Sequence, residues 1–523
     1  MQKLFTFNPV LCAALAAAFS YYGFAPLIQS SRNIFLVLIF FLIVFILIAA
    51  AVLLKAPLIA SCAATVPRLN FFNGALSQPR DLSKKALLFL VFFTAGMFLG
   101  LFARGAASRA GRIAGGFPRE NICGITGLLL DDPRTNATGR GMGNLSLIQS
   151  ALIDGSRASA KGTVLVFFPE GSIPRLKEFG RGSTIYVDGS FAEPQNSAFN
   201  GASAGGMFRA KSVHIVQPPS KIDRLRTRAR LGLINIFAGE TNWGGLALAL
   251  LLGARDNLDS NLAAQYRNAG CSYILALSGM HLAIVSAIIA FLLKKPFGLK
   301  AAAALGAIII VFYVYLVGAQ PSLTRAALMS LIGTVCILFS FPARAVQLLA
   351  LSFLAQIIID SRSALSVSFI LSYLALLGIL LVGRSIANVT AGKLPAFLAA
   401  PLSASLGAFL ATIAITAFFF GELRPAGIAA GLLMVPLTTL FMIGAIGYLA
   451  LSFVFPLFNT PLGFALSLLY KLLERIAFLA GKIPSISVTN MPLALILGSL
   501  LPFLIFFLCQ HRFRVQHTIE SFE

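Results

Sequence analysis

Long apolar runs separated by short polar loops dominate this chain of 523 residues. Three runs, at about 9–29, 33–54 and 86–103, each approach the ~20 residues that a helix needs to cross ~30 Å of hydrocarbon. The first is too long and too polar for a cleaved signal peptide, so we expect it in the mature protein. Later apolar runs predict further spans near 274–293, 299–318, 323–340, 345–360, 366–383, 397–420, 426–454 and 491–509. For some of these runs, a re-entrant or interfacial segment is the alternative.

Between about 104 and 240 the pattern changes to short segments of alternating apolar and polar residues. Turn-rich pieces separate these segments, which is typical of strands. The predicted strands lie at 122–130, 145–153, 162–168, 183–191 and 207–216. Five short strands favour a small barrel, and an OB-fold-like barrel is the form that we predict. The predicted fold class is therefore a polytopic α-helical membrane protein with an inserted soluble β domain.

Basic residues in the loop between the second and third spans set the expected orientation. This loop carries five Lys and Arg residues against Asp81, so the positive-inside rule places it in the cytoplasm and the β domain outside. The predicted division of the chain is 1–103 transmembrane helices, 104–240 β domain, 241–510 second membrane region and 511–523 polar tail.

Charge is strongly unbalanced, with 41 Lys and Arg against 18 Asp and Glu and a formal net charge of +23. Topology signals, anionic lipid and a polyanionic substrate are three explanations for this excess. Six cysteines and four histidines are scattered without metal-ligand spacing. We therefore predict no disulfide framework, no metal site and no cofactor.

A basic segment leads from the β domain back to the membrane. Arg224, Arg226, Arg228 and Arg230 precede an apolar stretch, a pattern that favours an interfacial segment. Trp243 follows where an interfacial anchor is expected.

Polar groups within the second membrane region are functional candidates, because hydrocarbon penalises them unless they line a cavity or meet partners. Each has a structural alternative: helix capping and a surface ion pair with Arg255 for Asp256, a structural hydrogen bond for His281, snorkelling at the interface for Arg325, helix packing for the serines, and an ion pair with Arg424 for Glu422. The candidates are Asp256, Ser278, Gly279, His281, Gln320, Arg325, Ser368, Ser372 and Glu422.

Several of these candidates fall in blocks that resemble the ComEC family of competence proteins. The blocks are a leucine-rich segment at 248–253, a Ser-Gly-Met-His segment within 271–282, and segments at 318–329, 368–378 and 420–427. They occur in the family's order. Two departures are that Ser272 or Tyr273 stands near the family's first histidine, and that Ile370 replaces a glutamine.

The resemblance implies a multi-pass channel in the bacterial inner membrane that passes single-stranded DNA inward during natural transformation. Membrane lipids and single-stranded DNA are the implied partners. Many members carry a metallo-β-lactamase-like domain that is expected to degrade the second strand, and no such domain is recognised in this sequence. The resemblance therefore implies a separate nuclease, together with a DNA-receptor protein and a cytoplasmic helicase or motor.

The β domain contains basic and aromatic residues suited to a nucleic-acid strand. Arg157 and Lys161 are expected to contact phosphates, and Phe167 and Tyr186 to stack on bases. An ordinary solvated surface over a barrel core is the alternative.

Two other classes of function are alternatives to a channel. A proton-coupled or lipid-handling permease would use Asp256, His281 or Glu422, but inverted repeats and paired intramembrane carboxylates are not evident. A hydrolase would need a nucleophile with its base or a metal cluster, and the sequence offers neither pattern. We therefore predict a channel rather than an enzyme.

Overall fold

Most of the sheet domain and of the second membrane region is described by the computed structural model. The predicted span at 33–54, Ser278 and the tail at 511–523 lie outside the described residues, as does most of the predicted span at 491–509. The described residues are 9–23, 93–107, 119–135, 141–169, 171–192, 206–240, 243–276, 279–391, 394–488 and six positions between 498 and 508.

Two apolar helices, α1 (Pro9–Gly23) and α2 (Phe93–Ala107), precede the sheet domain. They correspond to the described parts of the first and third predicted spans. Seven strands and one helix then follow. They are β1 (Ile122–Leu129), β2 (Arg134–Thr135), β3 (Gly141–Leu152), β4 (Arg157–Ser159), β5 (Thr163–Phe168), α3 (Ile173–Phe179), β6 (Thr184–Ala192) and β7 (Met207–Gln217).

The strands form a mixed sheet around one apolar core. β1 pairs antiparallel with both β3 and β6, β3 pairs antiparallel with β5, and β7 pairs parallel with β5 and antiparallel with β6. Alternate residues along these strands point inward, and Ile125, Val166, Val187 and Phe208 are fully buried. The five predicted strands correspond to β1, β3, β5, β6 and β7. The alternating sequence pattern predicted neither α3 nor the short strands β2 and β4.

The rest of the described chain is almost entirely helical, with a two-stranded ladder of β8 (Glu422–Leu423) and β9 (Ile486–Ser487). The helices are α4 (Lys221–Ala238), α5 (Gly244–Leu252), α6 (Ser260–Asn268), α7 (Ser272–Leu275), α8 (Gly279–Val317), α9 (Pro321–Leu338), α10 (Ala345–Ile359), α11 (Val367–Thr390), α12 (Ala396–Phe420), α13 (Ala426–Val454) and α14 (Asn459–Gly481).

Five of the described helices are long and apolar enough to cross a membrane: α8, α9, α11, α12 and α13. The chain is thus a helical membrane protein with a sheet domain. Gly298, at φ 76°, breaks α8 into two arms that match the predicted spans at 274–293 and 299–318. Helix α10 matches the span predicted at 345–360 but has only 15 residues.

By contacts the chain divides into two compact units. One consists of Met1–Ala110 and Ala343–Ala364, and contains α1, α2 and α10. The other consists of Gly111–Pro342 and Leu365–Glu523. The sheet domain and the helices from α4 onward, except α10, therefore belong to the same unit, which also holds every described candidate residue.

Trp243 is buried rather than interfacial. Only 1% of its surface is exposed, and its ring packs edge-on against Phe441 and Tyr448 of α13 and Phe237 of α4. The expected interfacial anchor is therefore wrong, because α4, α13 and α14 enclose the ring. Helix α14, which packs against α13, was also missed. Its Lys471, Glu474 and Arg475 interrupt the apolar run.

Candidate functional site

Three separated segments of the membrane region meet at the side chain of Arg325. Pro321 occupies the first turn of α9, where its missing N–H is harmless, and Arg325 follows one turn later. The guanidinium donates to the carbonyl oxygen of Ser372 and lies 5.8 Å from the ring centroid of Tyr373 in α11. A Cβ added to Gly279 would lie 2.9 Å from Nη2 of Arg325, so the start of α8 also contacts it.

Arg325 is a buried cation that lacks a described anionic partner. Only 8% of the residue is exposed. Within the described residues it forms no ion pair with a carboxylate, and its Nε finds no hydrogen-bond partner. A buried charge without a counter-charge is costly, so the site favours an anion that brings its own negative charge.

The first turn of α8 lies beside this cation. His281 is fully buried there, as the third residue of the helix. The hydroxyl of Thr439 in α13 donates to Sδ of Met280 at 3.9 Å, so α13 contacts the same turn. Gln320, at the N-cap of α9, is half-buried.

The two serine candidates of α11 have different surroundings. The rings of Phe369 and Tyr373 pack 4.6 Å apart on the buried face of this helix, whereas Ser368 is exposed. Ser372 contributes its backbone carbonyl to Arg325. Ser366 caps the helix by accepting from the backbone N–H of Phe369 at 3.2 Å.

Glu422 is held in an ion pair. Arg424 donates to both of its carboxylate oxygens at 3.1 and 2.9 Å, and also donates to the carbonyl of Asn268 at 2.7 Å. The hydrogen bonds from Arg424 are the main reason that the pKa of Glu422 lies below its usual value. Gly270 and Gly427 cross so closely that a Cβ on Gly427 would lie 2.7 Å from the Gly270 oxygen. The contacts of Glu422 therefore fix this turn against the end of α6.

Asp256 lies at the junction between the sheet domain and the helices. Its Oδ1 accepts from the backbone N–H and the hydroxyl of Thr135 at 3.0 and 2.9 Å, and its Oδ2 lies 2.7 Å from Nζ of Lys177. Burial opposes ionisation of Asp256, but the hydrogen bonds from Lys177 and Thr135 outweigh it and lower the pKa. Asp256 thus joins β2 and α3 to the loop after α5.

A second carboxylate at the same junction escaped the sequence reasoning. Asp132 accepts two hydrogen bonds from Arg226, at 3.0 and 2.8 Å, and lies 3.4 Å from Nε of Arg230. Burial opposes ionisation of Asp132, but these arginines outweigh it and hold its pKa below the usual range. The i, i+4 spacing of Arg226 and Arg230 in the sequence already indicated that both lie on one helix face. In the structure Arg224 and Arg228, on the other face, are exposed.

The four candidates of the sheet domain do not form one cluster. Arg157 and Lys161 are exposed, and Phe167 and Tyr186 are half-buried. Phe167 pairs with Arg209 of β7 and Tyr186 with His214, positions that lie roughly 16 Å apart along the strand.

Tyr186 is fixed on the outer face of the sheet. The hydroxyl of Tyr186 donates to Asp188, which also accepts from Ser212 at 2.7 Å. This hydrogen bond to Asp188 is the main cause that raises the pKa of Tyr186 to about 12. The ring is therefore held in a defined position on the surface.

The fold and this site define a helical membrane protein with a sheet domain and a buried arginine among its described helices. A family model described as "Competence protein" matches residues 250–513, which is 264 of 523 residues and slightly more than half of the chain. The chain belongs to this family. Every candidate of the membrane region falls within the matched residues.

One curated relative extends this similarity. ComE operon protein 3 of Bacillus subtilis (strain 168) is 27% identical over 211 residues, which cover 40% of this chain and 26% of the relative. The chain therefore matches about a quarter of the length of that protein. No solved structure matches the chain.

Proposed function

We propose that this chain is an inner-membrane channel through which single-stranded DNA enters the cytoplasm during natural transformation. Membership of the competence family and the similarity to a competence-operon product support a role in DNA uptake. The observation that carries the proposal is the buried guanidinium of Arg325, which meets the Gly279 and Ser372 segments and has no described carboxylate partner.

A phosphodiester strand suits such a site. Each phosphate carries one negative charge, and a buried cation that is not already neutralised can contact successive phosphates. Conduction requires contacts that are favourable but weak enough to release the strand. A single cation flanked by a carbonyl and an aromatic ring meets that requirement better than a dense basic cluster. In this proposal Gly279, His281 and Ser372 belong to the same pathway, and no covalent step is needed.

The sheet domain receives the strand outside the membrane in this proposal. The pairing circuit β1–β3–β5–β7–β6–β1, with α3 between β5 and β6, supports a closed barrel of the OB type. Such barrels bind single strands through basic grooves and stacking aromatics, and Arg157, Lys161, Phe167 and Tyr186 are suited to those contacts. A nuclease, a DNA receptor and a motor act as separate chains.

The test is gene deletion in competent cells of the host, followed by complementation at equal membrane abundance. Labelled double-stranded DNA is added, and DNA outside the inner membrane is measured separately from DNA in the cytoplasm. We expect the deletion to leave DNA outside and none inside. Arg325→Gln should reduce cytoplasmic DNA at least tenfold, on the scale of a lost charge-assisted contact.

Arg384→Gln is the matched control. Arg384 is exposed on α11, so this substitution removes the same charge from the same membrane region. It should import DNA at the wild-type level. Unchanged DNA entry in the deletion strain would overturn the channel proposal and favour the permease. Normal entry with Arg325→Gln alone would remove Arg325 from the pathway.

A further inference from the structure

The junction between the sheet domain and the membrane helices gathers more positive than negative charge. Asp256 neutralises Lys177, whereas Asp132 brings one negative charge against the two positive charges of Arg226 and Arg230. Thr135 donates two hydrogen bonds to Asp256. These bonds bring Arg134, which precedes Thr135, and Arg255, which precedes Asp256, to the same junction.

These two arginines are only weakly compensated. Arg134 lies 3.7 Å from Asp131, and both side chains are about half exposed at 55% and 45%. Such an exposed pair contributes little attraction. Arg255 donates to the carbonyl of Leu275 at 3.0 Å and, among the described residues, forms no ion pair with a carboxylate. Burial of the Arg255 side chain lowers its pKa, and the positive charge of Arg134 lowers it further.

The position of Arg255 links the junction to the buried site. Leu275 ends α7, and Gly279, which contacts Arg325, lies four positions further along the chain. Four residues span at most about 14 Å. The cations Arg134, Arg255 and Arg325 therefore follow one another from the sheet domain toward the interior of the helices.

We propose that Arg134 and Arg255 form a phosphate-binding step that transfers the single DNA strand from the sheet domain to the membrane helices. The inference rests on the proposed channel function and assigns it a site outside the membrane spans. A lipid headgroup also carries a phosphate. The DNA strand is favoured because Arg255 contacts the buried Leu275 segment that leads to Arg325.

Binding of a labelled oligo-dT strand to the full chain in nanodiscs tests this site, measured against salt concentration. Arg134→Gln with Arg255→Gln removes two phosphate contacts, so the slope of log K against log [salt] should fall by about 1.4. Affinity at about 50 mM salt should fall roughly ten- to hundred-fold. Arg134→Gln alone should lower the slope by about 0.7, and because this side chain is 55% exposed, its replacement should leave the fold intact.

Arg224→Gln with Arg228→Gln is the control, because both residues are exposed on α4 and the change in net charge is the same. Its slope should equal that of the wild type. An equal fall in the control and in the Arg134/Arg255 variant would overturn the site, as would an unchanged slope in both. If the wild type itself binds no strand, the failure lies with the channel proposal instead.

The lipid alternative has its own readout. Anionic phospholipid that co-purifies with the protein is counted by native mass spectrometry for the wild type and both double variants. We expect equal retention in the wild type and the Arg134/Arg255 variant. Loss of bound lipid together with an unchanged DNA slope would assign these arginines to a headgroup and overturn the proposal.

Discussion

Two buried arginines of this protein, Arg226 and Arg325, have opposite surroundings. Arg226, at the junction with the sheet domain, is 4% exposed and meets the carboxylate of Asp132 through two hydrogen bonds. Arg325, among the spans, is 8% exposed and meets a carbonyl and a tyrosine ring. In the first arrangement the arginine has a carboxylate counter-charge, and the pair holds the sheet domain to α4. The second leaves a positive charge available, which is what a passing anion requires.

The comparison predicts opposite effects on stability when each arginine is replaced by methionine. Arg226→Met leaves Asp132 largely buried with weaker compensation, so we expect a loss of about 3–5 kcal/mol. Arg325→Met removes an uncompensated buried charge, so its free energy of unfolding should stay level or rise by about 1–4 kcal/mol. Thermal unfolding of the purified chain in detergent measures both. Arg224→Met, on the exposed face of α4, serves as the control. Equal destabilisation by both changes would contradict the comparison.

The Asp132 contact also predicts a pH dependence. The folded-state pKa of Asp132 is lowered, so its contribution to stability is present above the unfolded pKa of about 3.9 and is lost as pH falls through the folded value. Asp132→Asn should therefore cost about 1–3 kcal/mol at pH 7. The difference from the wild type should shrink below about pH 4.

Unfolding temperatures of the wild type and Asp132→Asn across pH provide this measurement. Asp131→Asn is a matched neighbour whose carboxylate is 45% exposed and 3.7 Å from Arg134. It should cost less than about 1 kcal/mol. A difference between wild type and Asp132→Asn that persists unchanged to low pH would argue against an ionised Asp132 as the cause.

The smallest effect is expected at Glu422, where the ion pair is partly exposed. The side chains of Arg424 and Glu422 are 21% and 35% exposed, so Glu422→Gln should cost no more than about 1 kcal/mol. Since Glu422 is already neutralised, DNA entry should remain close to the wild-type level. DNA-uptake measurements at equal abundance check this. A loss as large as that of Arg325→Gln would place Glu422 in the pathway and weaken the distinction between paired and unpaired charges.

Hydrophobic patterning located the described spans because a bilayer imposes a minimum apolar length on any helix that crosses it. It also located the five main strands, whose alternating burial reflects the two faces of a sheet. It failed at α14, where three charged residues break the apolar run, and at Trp243, which three helices enclose. A pattern reports the average environment of a segment and does not report which neighbours cover it.

The sequence by itself determined the class of protein, the five main strands, the long apolar helices and the residue types available to a site, because these follow from local composition and periodicity. Only the tertiary structure decided which charges are paired. Thr135 and Asp256 are 121 positions apart, and Arg325 and Ser372 are 47 apart, yet each pair is in contact. Electrostatic compensation depends on distances of a few ångströms, which chain separation does not specify.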